Sequence, residues 1–455
     1  MLRTNFMAAA VAAAFALPAA AFAAEDADIR AIREEIKSLK EGYESRIRQL
    51  EDRLQAAEKA PAPAAAPSAG AAPAASNAFN PAISLILGGQ YSHLQRDPET
   101  WQIGGFVPGG DEVGPGSRSF NLGESELTVS ANIDPYFSGY FVLAATPENE
   151  VEVEEAYVMN TGSLPGLSVK AGRMLSGFGY LNEIHAHAWD FVDAPLVHQA
   201  FFGGQLKEDG VQARWLAPVP VFAEIGVEAG RGAGFPGTER NSNGLNSTMV
   251  FAHLGDDIGV SHSYRIGASY RVTKAQDRAY DDTDSLGNDV TNAFTGDSKM
   301  WGVDFVWKWA PNGNPVERNF KFQAEYMQRR EDGDLAFDTA GANLSDGYRS
   351  RQSGWYVQGA YQFMPRWRVG LRYDELDSGK VDIGLVDNGA LGAGDFPLLA
   401  ANDPRRATAM IDYSPSEFSR LRLQFSRDEA RFDESDNQVF LQYVMSLGTH
   451  GAHKF

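Results

Sequence analysis

The chain of 455 residues contains no cysteine. A disulfide framework and a thiolate metal site are both excluded by that absence. Basic residues are few beside acidic ones, 40 against 60, and the formal net charge is −20. A surface of that sign repels phosphate backbones, so nucleic acid is excluded as a partner. Beyond the N-terminus no apolar run of about 20 residues occurs, so no helix of the mature chain is expected to cross a bilayer. What is plentiful is glycine, 46 residues, and aromatic side chains, 11%. That mix suits many strands joined by tight turns better than it suits helices.

The N-terminal 23 residues read as a signal peptide: Arg3 is the positive start, Met7 to Leu17 the short apolar core, and Ala21-Phe22-Ala23 the small-x-small cleavage pattern. Residues 24–57 carry an apolar stripe through Ile29, Ile32, Ile36, Leu39, Tyr43, Ile47, Leu50 and Leu54, spaced by threes and fours. So narrow a stripe gives a helix no core of its own, and it reads as a periplasmic α-helical coiled coil; a single amphipathic helix lying on the rest of the protein is the other reading. Residues 58–81 are rich in Ala and Pro and form a linker.

From residue 82 to residue 455 the pattern alternates. Trp301, Val303, Phe305, Trp307 and Trp309 are interleaved with Gly302, Asp304, Val306 and Lys308, and Leu421, Leu423 and Phe425 with Arg420, Arg422 and Gln424. Period two with one apolar face means strands. Sixteen are expected, with mostly short joints after the even-numbered strands and mostly long ones after the odd-numbered strands. Short turns at one end and long loops at the other mark a transmembrane antiparallel β-barrel, whose outward residues face lipid and whose strands must close so that every backbone amide is paired. A secreted soluble β protein, its apolar face lining a core, is the alternative. An all-β barrel over 82–455 in the cell outer membrane, in contact with lipid and lipopolysaccharide, is the expectation.

The barrel pattern and the terminal Phe455 resemble bacterial porins. That resemblance implies a last strand read through Phe455 by the barrel-assembly machinery, although here Gly448 to Lys454 forms a polar extension before it. The helix–linker–barrel order resembles phosphate-selective porins in particular. Gly172 to Gly204 and Gly448 to Phe455 also resemble chains named zinc-regulated TonB-dependent outer-membrane receptors. Those receptors look like plugged barrels of roughly 22 strands, and neither that strand number nor a plug is read here. A fragment, Asn241-Ser242-Asn243-Gly244, is similar to part of an outer-membrane phospholipase site. The His expected two residues before Ser242 is Arg240, so an enzyme is not expected.

With the apolar parity outward, Arg366, Arg368, Arg372, Arg406, Arg420 and Arg422 of strands 13 to 15 point into the lumen as a basic wall. Glu126, Glu152, Glu154, Glu224 and Glu228 point inward on strands 2, 4 and 7, across from them. Opposed walls of charge set up a transverse field that orients small polar solutes. The long loop 175–208 is apolar and aromatic where a loop in water should be polar, so it is expected to fold into the barrel and constrict the pore. Its Glu183, Asp190 and Asp193 are expected to meet the arginine wall. His185, His187 and His198 of the same loop, with those carboxylates, form a candidate site for a divalent Zn²⁺-type cation; loop histidines bound to neighbouring residues are the other reading, and His450 and His453 are weaker candidates.

The expected function is that of a porin passing small hydrophilic solutes or ions through a water-filled pore. A metal- or ligand-specific receptor and an envelope-tethering barrel are the alternatives. Assembly is expected to be a homotrimer, because Ile at both core positions favours three-stranded coiled coils and because porins of the type resembled are commonly trimers.

Overall fold

The computed structural model describes residues 81–448, except 110–112, 147–149 and 163. The expected signal peptide, coiled coil and linker up to residue 80, and His450, His453 and Phe455, lie outside the described residues.

The 17 strand segments make a closed barrel of sixteen strands, because two of them are halves of one strand that both pair with the first. In chain order they are β1 (Ala82–Leu94), β2 (Ser119–Leu122 and Ser125–Asn132), β3 (Phe137–Ala145), β4 (Val151–Thr161) and β5 (Leu167–Leu175). Next come β6 (Lys207–Leu216), β7 (Phe222–Gly230), β8 (Ser247–Ile258), β9 (His262–Thr283), β10 (Asp289–Trp309) and β11 (Asn319–Phe337). The last five are β12 (Leu344–Met364), β13 (Trp367–Ile383), β14 (Arg405–Ser416), β15 (Ser419–Glu429) and β16 (Asp436–Gly448). Every neighbouring pair is antiparallel, and β16 closes on β1 from Ser84↔Gly448 to Leu94↔Gln438.

Closure leaves the wall without an edge, as a sheet in lipid requires. The apolar parity faces out: Leu371, Ile225, Leu423 and Leu441 are all exposed on the outer surface. The opposite parity faces in, as Arg422 and Gln424 do between Leu421, Leu423 and Phe425.

Five strands are much longer than the alternation suggests. β9 to β13 run 22, 21, 19, 21 and 17 residues, where about 9–11 span a membrane. Two of the long joints expected after odd-numbered strands are instead hairpin extensions with turns at 284–288 and 338–343. Above the lipid the outer face meets water and the apolar parity inverts. Lys274, Asp281 and Arg349 point out, while Tyr280, Phe294, Leu335 and Tyr348 are buried on the inner face against Leu385, Phe396 and Leu399 of the loop after β13.

Candidate functional site

Residues 176–206, between β5 and β6, lie inside the barrel. The entry is fixed by carboxylates of the wall. Glu228 of β7 accepts from Ser176 Oγ and from Gly177 N, both at 2.7 Å. Glu325 of β11 accepts from Leu181 N at 2.8 Å. Gly179 has φ +75°, and a Cβ there would lie 2.5 Å from Glu325 Oε2, so only glycine lets the loop approach this closely. Beyond it, helix α1 (Leu196–Phe202) buries all seven of its residues and ends at Gly203, which takes the left-handed conformation. Phe178, Leu196, Val197, Phe201 and Phe202 pack on Met249, Phe251, Met300, Met327 and Tyr356 of the wall. The loop's apolar side chains therefore find their core in the lumen, and that half of the barrel is filled.

The loop then spans to the arginines of β13 to β15. Asp190 takes Arg368 Nη1 at 3.0 Å and pairs with Lys321. Asp193 takes Arg372 Nη2 at 3.0 Å and Arg406 Nη1 at 2.6 Å. Four guanidinium groups also donate to loop carbonyls: Arg372 to Asp193 O (2.7 Å), Arg406 to Ala194 O (2.6 Å), Arg420 to His187 O (2.6 Å) and Arg422 to Trp189 O (2.9 Å). Burial works against charge on both aspartates. Lys321 and Arg368 outweigh it at Asp190, and Arg372 and Arg406 at Asp193, so both carboxyls stay below their ordinary range.

Several expected placements need correction. Arg372, Arg406 and Arg422 point inward but are buried, covered by the loop, so they hold it rather than line open water. Arg366 is not on a strand: it sits at φ +73° in the two-residue turn before β13, exposed at the barrel mouth. Arg368 and Arg420 remain half-buried along a cavity. Glu183 does not reach the arginine wall; it pairs with Arg214 of β6, nearer its own strand of origin. His198 is in α1, fully buried, 3.3 Å from Glu325 Oε2 and edge-on to Phe202. It is separated from the other two histidines because the helix that carries it faces β11.

His185 and His187 meet carboxylates of the wall instead of those on their own loop. His187 Nδ1 is 2.5 Å from Glu126 Oε1. His185 Nδ1 is 3.0 Å from Glu154 Oε2 and 3.3 Å from Glu126 Oε2, and its Nε2 is 3.0 Å from Glu155 Oε2. Burial disfavours charge on His185, but the carboxylates of Glu126, Glu154 and Glu155, all within 3.3 Å, prevail and raise its pKa well above the usual value. Glu155 was not among the expected inward residues. Strict alternation puts it outside, but a bulge sets Val142 opposite Glu155 and Leu143 opposite Val153, and Glu154 and Glu155 both turn inward.

Two cavities flank this cluster. One, of about 390 Å³, opens below it among Lys321, Arg366, Arg368, Ser419 and Arg420. The other, of about 290 Å³, lies above it among Gln90, Gly114, Gly116, Glu124, Glu154 and Asp193. Both are lined by His187 and Val444. Both cavities therefore reach the gap between the loop and the wall of β1, β2 and β16.

No protein-family profile matches the chain. A protein of Aquifex aeolicus (strain VF5), described as "Uncharacterized protein", is 30% identical over 408 residues, which are 84% of this chain and 81% of the relative. The chain belongs to the family of that Aquifex protein. This family's barrel is similar to several solved structures. A loop-deletion mutant of OmpT, an outer membrane protein of Vibrio cholerae, is 10% identical with TM-score 0.49, covering 82% of this chain and all of the other. The outer membrane channel DcaP of Acinetobacter baumannii is 14% identical with TM-score 0.46, covering 81% of this chain and 97% of the other. An anion-selective porin from Comamonas acidovorans is 11% identical with TM-score 0.46, covering 81% and 99%. By its closed wall, apolar outer face and short-turn, long-loop asymmetry, the family member described here is a porin-like barrel of the outer membrane.

Proposed function

We propose that the protein is an outer-membrane channel through which small hydrophilic solutes or ions diffuse passively, past an inserted loop that narrows the lumen. One observation carries this reading: the cavities above and below loop 176–206 share His187 and Val444 in their walls. The passage has opposed charge. Arg368, Arg420 and Lys321 line the cavity below the loop, Glu124 and Glu154 line the cavity above it, and Glu126 sits in the cluster between. Charge that changes sign along a narrow, low-dielectric gap raises the local concentration of ions and orients dipolar solutes. Reconstituted in a planar lipid bilayer, the full chain is expected to open steady ohmic channels without any energised partner. A membrane that stays silent with protein inserted contradicts the reading and favours a closed receptor or a tether.

Assembly as a homotrimer belongs to the same proposal. A depression in the outer wall of β2 to β5 is formed by small residues, Ala131, Gly139, Ala156 and Ala171, with Val129 and Val158 beside them. Small side chains let two walls approach closely where lipid would otherwise pack loosely. Light scattering corrected for bound detergent is expected to return three times the chain mass. A monomer in mild detergent, where the native assembly survives, contradicts it.

A further inference from the structure

We infer that Glu126, His185 and His187 form a binding site for one divalent transition-metal ion of the Zn²⁺ class, set in the wall of the passage. The donor atoms of the three residues lie within 4.8 Å of one another. Glu154 Oε2, 3.0 Å from His185 Nδ1, is close enough to act as a fourth donor. Ligands about 2.1 Å from a tetrahedral ion are roughly 3.4 Å apart. The present separations of 2.5 Å, 3.0 Å and 3.3 Å therefore need to open by less than an ångström.

The cluster is poorly satisfied by protons alone. Glu126 is 1% exposed, and its Oε2 accepts no hydrogen bond although it points at His185. A single Nδ1–H of His185 faces both Glu126 and Glu154, and it can satisfy only one of them well. Three carboxylates, Glu126, Glu154 and Glu155, converge on the two imidazoles, and Glu124 lies against Glu126 and Glu154. A dication placed between Nδ1 of His185, Nδ1 of His187 and Glu126 answers both deficits, and it displaces the protons now shared there.

The surroundings supply what such a site needs. His185 Nε2 lies 3.0 Å from Glu155 Oε2, so the nitrogen away from the ion donates to a carboxylate and fixes the ring. The rings of His185 and His187 are held nearly parallel, 27° apart. His187 and Glu154 line the upper cavity, which gives an entry path. Mixed imidazole and carboxylate donors favour Zn²⁺ and its neighbours over Mg²⁺ or Ca²⁺, which prefer oxygen alone. The position of the site rests on the passage proposed above. Its occupancy does not, since binding is measured without conduction and the two can fail separately.

The test is calorimetric titration of ZnCl₂ into the full-length protein in detergent after chelator treatment, with MgCl₂ and CaCl₂ as parallel probes. One Zn²⁺ per chain is expected, with Mg²⁺ and Ca²⁺ at least tenfold weaker. The double variant His185→Ala/His187→Ala should bind more than roughly 100-fold less tightly, because loss of even an outer partner of a metal ligand costs about 10–100-fold. That variant keeps every other histidine, so adventitious binding elsewhere survives in it. Glu126→Gln, nearly isosteric, gives a second test if the double variant does not fold, and should also lose the site. No binding by the native chain overturns the inference, as does tighter binding of Ca²⁺ or Mg²⁺ than of Zn²⁺. So does a folded double variant, or a folded Glu126→Gln, that binds Zn²⁺ as the native chain does.

Discussion

Asp193→Ala should lower the stability of the barrel by about 3 kcal/mol and turn steady current into flicker, as the loop loses its far anchor. Asp193 is met by Arg372 at 3.0 Å, Arg406 at 2.6 Å and the Gln424 amide at 2.8 Å. Both guanidinium groups are 3% exposed or less. Removing the carboxylate leaves two buried cations short of a partner, which costs more than the pair contributed. Arg372 keeps Asp374 at 3.0 Å, and Arg406 keeps Asp428 at 3.7 Å, so the loss sits at the lower end of the range for buried pairs.

Glu183→Ala makes the contrast. The Arg214–Glu183 pair is about a fifth exposed on each side, and its removal should cost roughly 1 kcal/mol or less. Urea unfolding of both variants in lipid vesicles, read by tryptophan fluorescence, separates the two costs. Equal shifts would mean that Asp193 is not an anchor. The pH dependence has a definite sign. The folded state depresses the pKa of Asp193, so its contribution is complete above the ordinary carboxylate value near pH 4 and fades as pH falls below it.

The barrel is legible in the sequence because lipid imposes one rule on every strand, apolar out, and the turn residues mark the ends. The rule stops where the lipid stops. In β9 to β13 the outer face turns polar and the inner face apolar, so Tyr280, Phe294 and Tyr348 read as loop residues when they are strand. The bulge at Glu154 and Glu155 had a signal that strict alternation hid. Val151 and Val153 are two apart, but the next outward pair, Ala156 and Val158, begins three residues later, which is the spacing one extra residue makes.

The loop's insertion follows from its aromatic content, since Phe178, Phe201 and Phe202 must be buried somewhere. Which wall each polar residue meets does not follow. Asp190 and Asp193 reach the arginines because the chain crosses the lumen between Glu183, which is still beside β6, and Asp190. His187 and His198 are eleven positions apart and face opposite walls, which only the path of the loop decides.

Solute is expected to pass between loop 176–206 and the wall of β1, β2 and β16. The chain has no cysteine, so a single engineered thiol is a clean probe. Val444 lines both cavities, while Leu441 on the same strand is 48% exposed on the outer face. In bilayer recordings of Val444→Cys, a charged methanethiosulfonate reagent should cut the conductance by roughly half or more, because it hangs a bulky group in the gap that both cavities reach. Leu441→Cys should be unaffected. Full labelling of Val444→Cys, verified by mass, with an unchanged current would contradict the passage.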